Sequence, residues 1–220
     1  MLYINEYDYL PAVTPARLDH LLASGWRHFG TSFFRYSLLI DENGEIKRVI
    51  PLRIRLENFT LSRSQKRVIT RNRDTELVIR PASIDQEKES IFERHKQRFA
   101  NNVPDSISDF LSATPSTTPC RNDELCIYHE GRLIAVSFLD IGAISASAVY
   151  AIFEPEHSAR SLGIYLILCG IDYAKQLDLK YYYPGYAYRE RSFYDYKKRF
   201  SGIEAYDWNR GWKNYTEETE

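Results

Sequence analysis

A chain of 220 residues, 44% hydrophobic and 27% charged, is long enough to bury a sizeable core as one large domain or two small ones. That composition excludes wholesale disorder, a collagen-like repeat and a disulfide-dense miniprotein. Lys+Arg 29 against Asp+Glu 30 leaves a net charge of −1, so the total charge points to no nucleic-acid partner. The unusual feature is 17 Tyr beside 11 Phe and 3 Trp; tyrosine joins a large apolar ring to a hydrogen-bonding tip and suits half-wet clefts and interfaces.

In chain order, Thr14 and Pro15 open a short capped helix that Gly25 stops. Residues 33–40 and 46–56 read as two strands joined by a turn at 41–44. Ser83 with Gln86 three residues on is a capping-box signature for a helix in which Ile84, Ile91, Phe92, His95 and Phe99 share a face. The Ser/Thr/Pro-rich stretch 112–119 is a loop or boundary. Then come a hairpin (125–128 and 133–140 around His129 and Gly131), a strand at 145–153 and a long amphipathic helix at 160–177. A strand at 179–183, a helical segment at 189–199 and a strand at 203–206 complete the pattern, before an acidic end at 216–220. The order of strands and helices after residue 120 is that of the GNAT acyltransferase fold. The expected class is therefore α+β, a mixed, mostly antiparallel splayed sheet flanked by helices, with an N-terminal α+β segment. Residues 1–80 and 81–220 are the expected divisions.

No run approaches the roughly 18–20 apolar residues that span a bilayer, and the start is acidic and lacks a signal-peptide core. No membrane segment is expected, and a reducing cytoplasm is the expected compartment. The cysteines are Cys120, Cys126 and Cys169. An odd count without a CxxC pair predicts neither a disulfide framework nor a cysteine-ligated zinc or iron–sulfur site, so no metal is expected.

Charge is distributed less evenly than its sum. Residues 47–73 hold 9 Lys and Arg (Lys47, Arg48, Arg53, Arg55, Arg63, Lys66, Arg67, Arg71, Arg73) and the single acid Glu57. Within them Ser62, Arg63, Ser64, Gln65, Lys66 and Arg67 mix cations with neutral hydrogen-bonding groups, as phosphate contact requires. A second candidate is Arg160, Ser161, Leu162, Gly163 and Tyr165 at a helix start, where backbone N–H groups can hold an anion. GNAT enzymes carry their coenzyme A pyrophosphate loop here, and the bulk of Tyr165 argues against an ordinary coenzyme A cradle. A third is the aromatic block from Tyr181 to Tyr188, which meets a Pro-Gly turn expected at a strand end and continues into 193–200.

Taken together, these segments resemble the aminoacyl-tRNA–protein transferases, the N-end-rule arginyl/leucyl transferase family. The matching pieces are Gly25 to Gly30 with Phe33-Phe-Arg35, Pro51 to Ile54, Phe59 to Arg67 with Arg71 and Asn72, Ser147 to Tyr150 with Phe153 to Pro155, Ser161 to Tyr165, Gly185 with Tyr186, and Tyr196 with Lys197. They run in family order over about residues 25–212. The resemblance implies transfer of an amino acid, Leu or Arg, from a charged tRNA to the N-terminal amine of an acceptor protein, chiefly one starting with Asp or Glu, which marks it for degradation. The family's tyrosine at the position of Tyr165 turns the objection to coenzyme A into support. Family members also carry a cysteine cluster after the Phe-Phe-Arg segment, linked to a metal or iron–sulfur group; here 36–40 holds no cysteine.

The donor is an activated ester and an α-amine has a reference pKa of about 7.7–8.0, so positioning rather than a covalent nucleophile or a cofactor is what the chemistry asks for. Tyr150 or Tyr186 is the candidate for returning a proton to the leaving ribose oxygen, Asp140 at a strand end for ordering the incoming ammonium, and backbone N–H groups near 136–138 for the oxyanion. Ser62 to Arg67, Arg160 to Gly163, Tyr165 and Lys197 are the candidates for holding tRNA and acceptor. The alternatives are an acetyl-coenzyme A N-acyltransferase on the same fold and a catalytically silent tRNA- or degron-binding relative.

Overall fold

The computed structural model describes residues 2–41, 44–99 and 103–216; the middle of the expected 41–44 turn and the end of the acidic tail lie outside them. After strand β1 (Asn5–Tyr9), helix α1 (Pro15–Ala23) begins at Thr14, whose Oγ1 accepts the Arg17 amide at 3.3 Å. Strands β2 (Arg27–Phe29) and β3 (Ser32–Tyr36) complete a small antiparallel sheet of order β1-β3-β2. The expected strand at 33–40 breaks at Ser37, whose hydroxyl accepts the Ile4 amide and donates to the Leu2 carbonyl, both at 2.9 Å. Beyond that break, β4 (Leu38–Ile40) pairs with β5 (Ile46–Arg55).

The starts of the next two helices were not given by the sequence. The basic run is the first turn of α2 (Arg63–Arg71): Ser62 Oγ accepts the Gln65 amide at 3.2 Å, and Gln65 Oε1 accepts the Ser62 amide at 2.9 Å. After β6 (Glu76–Pro81), helix α3 (Gln86–Lys96) is capped by Asp85, not Ser83. The Ser83 hydroxyl is engaged instead by the buried Lys88 ammonium at 2.8 Å, which also meets Asp85 and Glu124. Ile84 and Phe99 thus fall outside α3, whose buried face carries Ile91, Phe92 and His95.

The remaining elements are β7 (Asn122–His129), β8 (Arg132–Ile141), β9 (Ser145–Phe153), α4 (Leu162–Gln176), β10 (Tyr181–Tyr188), β11 (Ile203–Asp207) and β12 (Gly211–Asn214). The long helix starts two residues later than expected, after a 3-10 turn at Pro155–Arg160, and the expected helical segment at 189–199 is a 3-10 stretch, Phe193–Arg199. The main sheet runs β12-β11-β5-β10-β9-β8-β7-β6, and among the described residues only β9 and β10 pair in parallel. Strand β5, from the N-terminal 80 residues, lies between β11 and β10 in the same sheet.

One apolar layer joins α4 to the sheet through Leu162, Leu166, Ile171, Leu125, Ile127 and Leu139. At Gly170 a Cβ would stand 2.7 Å from the Tyr182 ring, so only glycine lets α4 approach β10 this closely. A second cluster joins α3 to the sheet through Ile91, Phe92, Val136, Phe138 and Ile152. Among the described residues no helix is long and apolar enough to cross a membrane.

Candidate active site

Strands β9 and β10 pair only over Ser145–Ser147 and Tyr181–Tyr183, then part. Each is bent by a bulge against its other neighbour. Phe138 and Leu139 of β8 face Tyr150 and Ala148, leaving Val149 as the extra residue of β9. Tyr182 and Gly185 face Ile54 and Leu52, so β10 carries the irregularity across Tyr183 and Pro184. Bulges bend a strand and raise its twist, which is why the two strands diverge. The Pro-Gly pair is therefore not a turn at a strand end. Pro184 has no N–H to donate and Gly185 takes φ +102°, both of which a bulge accommodates inside a strand. The resulting cleft opens at the carboxyl ends of both strands, where the chain also leads towards α4.

Arg27 of β2 reaches into this gap. Its guanidinium donates to Ser147 Oγ at 2.6 Å and to the Ala148 carbonyl, and it is buried. Opposite stands Lys197, from the 3-10 stretch, with its ammonium 3.4 Å from the Tyr186 carbonyl and over the Tyr194 ring at 4.8 Å. Burial, and then the field of Arg27, lower the Lys197 pKa from its ordinary 10.5 to about 7. Tyr36, Tyr186, Tyr188 and Tyr194 line the surroundings, with Tyr36 edge-on to Tyr186 at 5.5 Å and Tyr188 edge-on to Tyr194 at 5.8 Å. Neither Arg27 nor the titration of Lys197 was legible in the sequence, because both follow from enclosure by distant segments.

The expected catalytic residues are not gathered at one point. Tyr186 lines the cleft, but its hydroxyl donates to the Gly25 carbonyl at 2.6 Å, bolting β10 to the N-terminal segment. Burial pushes its pKa far up, so it is poorly suited to releasing that proton. Tyr150 stacks on Phe110 at 3.7 Å, and its buried hydroxyl has no hydrogen-bond partner. Asp140 is not an open strand-end carboxylate. It is 1% exposed and accepts from Asn122 Nδ2 at 2.9 Å, with His28 Nε2 at 2.7 Å. The backbone of 136–138 is flanked on both sides, by β7 and β9. The edge of β9 that β10 leaves lies instead beyond Ser147.

A separate surface unites the two phosphate candidates, 90 or so residues apart in sequence. The Arg71 guanidinium donates to the Ala159 carbonyl at 2.7 Å and to Ser161 Oγ at 3.1 Å, and Asn72 Nδ2 donates to the Arg160 carbonyl at 2.9 Å. Arg160 itself forms a two-pronged pair with Asp74 at 2.8 and 2.9 Å, which holds the Asp74 carboxyl well below the usual range. It shapes the loop rather than offering a free charge. Ile164 and Tyr165 amides bond to the Ser161 carbonyl, leaving the Leu162 and Gly163 amides outside that pairing at the start of α4. The Tyr165 hydroxyl meets Thr75 at 3.4 Å, to the side of that start.

The basic segment is also resolved into two parts. On β5 and just after it, Lys47, Arg48, Arg53 and Arg55 are paired with Glu45, Glu190, Glu204 and Glu57. Among the described residues, Arg63, Lys66, Arg67 and Arg73 form no ion pair and are exposed on or just beyond α2. Ser62 and Gln65, expected to touch phosphate, cap the helix instead, while Ser64 sits exposed in its first turn. A cysteine-ligated cluster after Phe33-Phe-Arg35 does not fit this chain. Ser37 there is committed to backbone hydrogen bonds, and the three thiols are free and buried elsewhere, before and on β7 and in α4.

Splayed parallel strands with a following helix start define an acyltransferase of GNAT-like fold. A solved structure of a domain described as that of a lysylphosphatidylglycerol synthetase, from Agrobacterium fabrum, shares the fold with a TM-score of 0.52 at 14% identity, over 84% of this chain and 55% of that one. The family model described as arginine-tRNA-protein transferase, C terminus, matches residues 87–207. An aspartate/glutamate leucyltransferase of Stenotrophomonas maltophilia (strain R551-3) is 33% identical over 90% of this chain and 79% of its own. One of Leptospira interrogans is 28% identical, over 89% and 77%. The chain belongs to the arginine-tRNA–protein transferase family and is an aminoacyltransferase.

Proposed function

We propose that this chain moves leucine from leucyl-tRNA to the α-amine of proteins that begin with Asp or Glu, with arginine as the second donor the family allows. The observation that carries the reading is the splayed cleft with the near-neutral Lys197 amine inside it. The ester carbonyl lies between β9 and β10, with β9 edge amides beyond Ser147 facing its oxygen. The acceptor nitrogen attacks the carbonyl carbon as Lys197 takes the proton it loses. The ester C–O bond then breaks, and the ribose oxygen leaves with the proton that Lys197 returns. The ester is already activated, so the scheme needs no cofactor, and we place it in the cytoplasm, where charged tRNA is found.

Labelled Leu-tRNA, Arg-tRNA or acetyl-coenzyme A, each with peptides beginning Asp, Glu, Lys or Arg, tests this directly. Label from Leu-tRNA is expected on Asp and Glu peptides. Transfer from acetyl-coenzyme A alone, or tRNA binding without transfer, would sink it.

The exposed cations of α2, beside the start of α4, are the surface we assign to tRNA phosphates. Arg63→Ala/Arg67→Ala is expected to weaken tRNA binding and to reduce the slope of log K against log salt by about 1–2, because each phosphate contact releases counterions. An unchanged slope in filter binding across a salt series would place the tRNA elsewhere.

A further inference from the structure

Behind Arg27, where the small N-terminal sheet meets the main one, three side chains from separate parts of the chain converge: His28 of β2, Cys120 just before β7, and Asp140 of β8. Their Nε2, Sγ and carboxylate oxygen all lie within 4.8 Å of one another. The three residues are 5%, 4% and 1% exposed. We propose that His28, Cys120 and Asp140 bind a zinc-class divalent ion, with the Asn122 side-chain oxygen available as a further donor.

The orientation of each group supports this. His28 Nδ1 is 2.8 Å from the Gly30 carbonyl, which can only accept, so that nitrogen carries a hydrogen. In the neutral ring Nε2 then presents its lone pair, and it is aimed at Asp140 Oδ2 from 2.7 Å. At this distance the two groups share a proton, which a metal ion bound to both would displace. A histidine that donates its other nitrogen to a backbone carbonyl is the usual arrangement of a metal ligand. Asn122 contributes an independent observation. Its Nδ2 orients the carboxylate through Asp140 Oδ1 at 2.9 Å, while its own Oδ1 is buried without a hydrogen-bond partner. A buried amide oxygen left unsatisfied costs stability, and a cation beside the carboxylate would satisfy it.

Mixed nitrogen, sulfur and oxygen donors select zinc among the common divalent ions, because calcium and magnesium take oxygen ligands. The ion would pin β2 to β7 and β8, fixing the strand from which Arg27 enters the cleft. Its role is structural and does not depend on which aminoacyl group is transferred. The spacing rules that excluded a metal in the sequence could not find it, since positions 28, 120 and 140 form no local motif.

The test is metal content and cobalt substitution on the full chain. After dialysis against dilute zinc and then metal-free buffer, elemental analysis is expected to return stoichiometric zinc. Cobalt-loaded protein is expected to show a thiolate-to-cobalt charge-transfer band that Cys120→Ser abolishes. Chelation is expected to lower the Tm of the wild type by several degrees and that of Cys120→Ser by much less. Asp140→Asn risks misfolding, so the near-isosteric Cys120→Ser is the decisive variant. Zinc well below stoichiometry, or a cobalt spectrum unchanged in Cys120→Ser, would overturn the proposal and leave a proton as the shared cation.

Discussion

Lys197→Met is expected to lower kcat/KM for aminoacyl transfer by roughly 10²–10⁴-fold, the range that a positioned proton acceptor contributes. With a pKa near 7, about half of the Lys197 side chains in the wild type are neutral at physiological pH and can accept the proton of the attacking amine. Lys197→Arg, which stays charged, is expected to be as inactive as the methionine variant. The acceptor's own α-amine titrates at about 7.7–8.0, so the diagnostic is the loss of the lower-pH limb on substitution. A variant that keeps wild-type rates, or keeps both limbs, would rule Lys197 out as the base.

The same substitution is expected to stabilise the protein, and the sign follows from the direction of the pKa change. The folded-state pKa lies below the unfolded value of 10.5. Between about 7 and 10.5 the unfolded chain holds a proton that the folded chain releases, so this residue's penalty falls as pH rises through that window. Below pH 7 the penalty is complete, and above 10.5 it is absent. Lys197→Met should therefore raise Tm most at pH 6 and progressively less towards pH 10.5. Calorimetry at both ends checks it, and an equal shift at all pH values would mean that packing rather than charge is responsible.

Arg27→Met is the second substitution with a large expected effect. It leaves Ser147 Oγ and the Ala148 carbonyl without the donor that holds them, at a cost of about 2 kcal/mol, or a Tm lower by roughly 4–8 °C. Because Arg27 is the charge that depresses Lys197 further, its removal is expected to move the lower limb of the rate profile to higher pH. Arg27→Lys separates the two roles. It keeps the charge, so the limb should stay in place, but it loses the planar fork, so the rate should fall by at least about tenfold. A limb that stays put in Arg27→Met would show that the two cations do not interact.

Several parts of this architecture were legible from residues alone. Thr14 before Pro15, the hairpin around Gly131 and the apolar period of α4 are local signals, and each element formed where its signal lies. Short edge strands were not legible. Strands β1 and β12 have few apolar residues turned inward and are held by pairing with distant strands. The basic run was recognised by its charge, but its helical start was not. Ser62 and Gln65 are a capping box as well as polar groups between cations, so the segment is a helix start.

The order of strands and helices pointed to the GNAT-like class, and the resemblance of segments such as 59–67 and 161–165 pointed to the family, from the sequence alone. Excess tyrosine likewise foretold an aromatic cleft. How the groups there are placed and charged was decided only by the tertiary structure. Enclosure lowers the pKa of Lys197, a hydrogen bond to Gly25 occupies the Tyr186 hydroxyl, and pairing with Glu190 or Glu204 engages Arg48, Arg53 and Arg55 of the basic stretch. Each of these depends on burial or on a partner more than 10 residues away, and the energy of a charge is set by what surrounds it rather than by its neighbours in the chain.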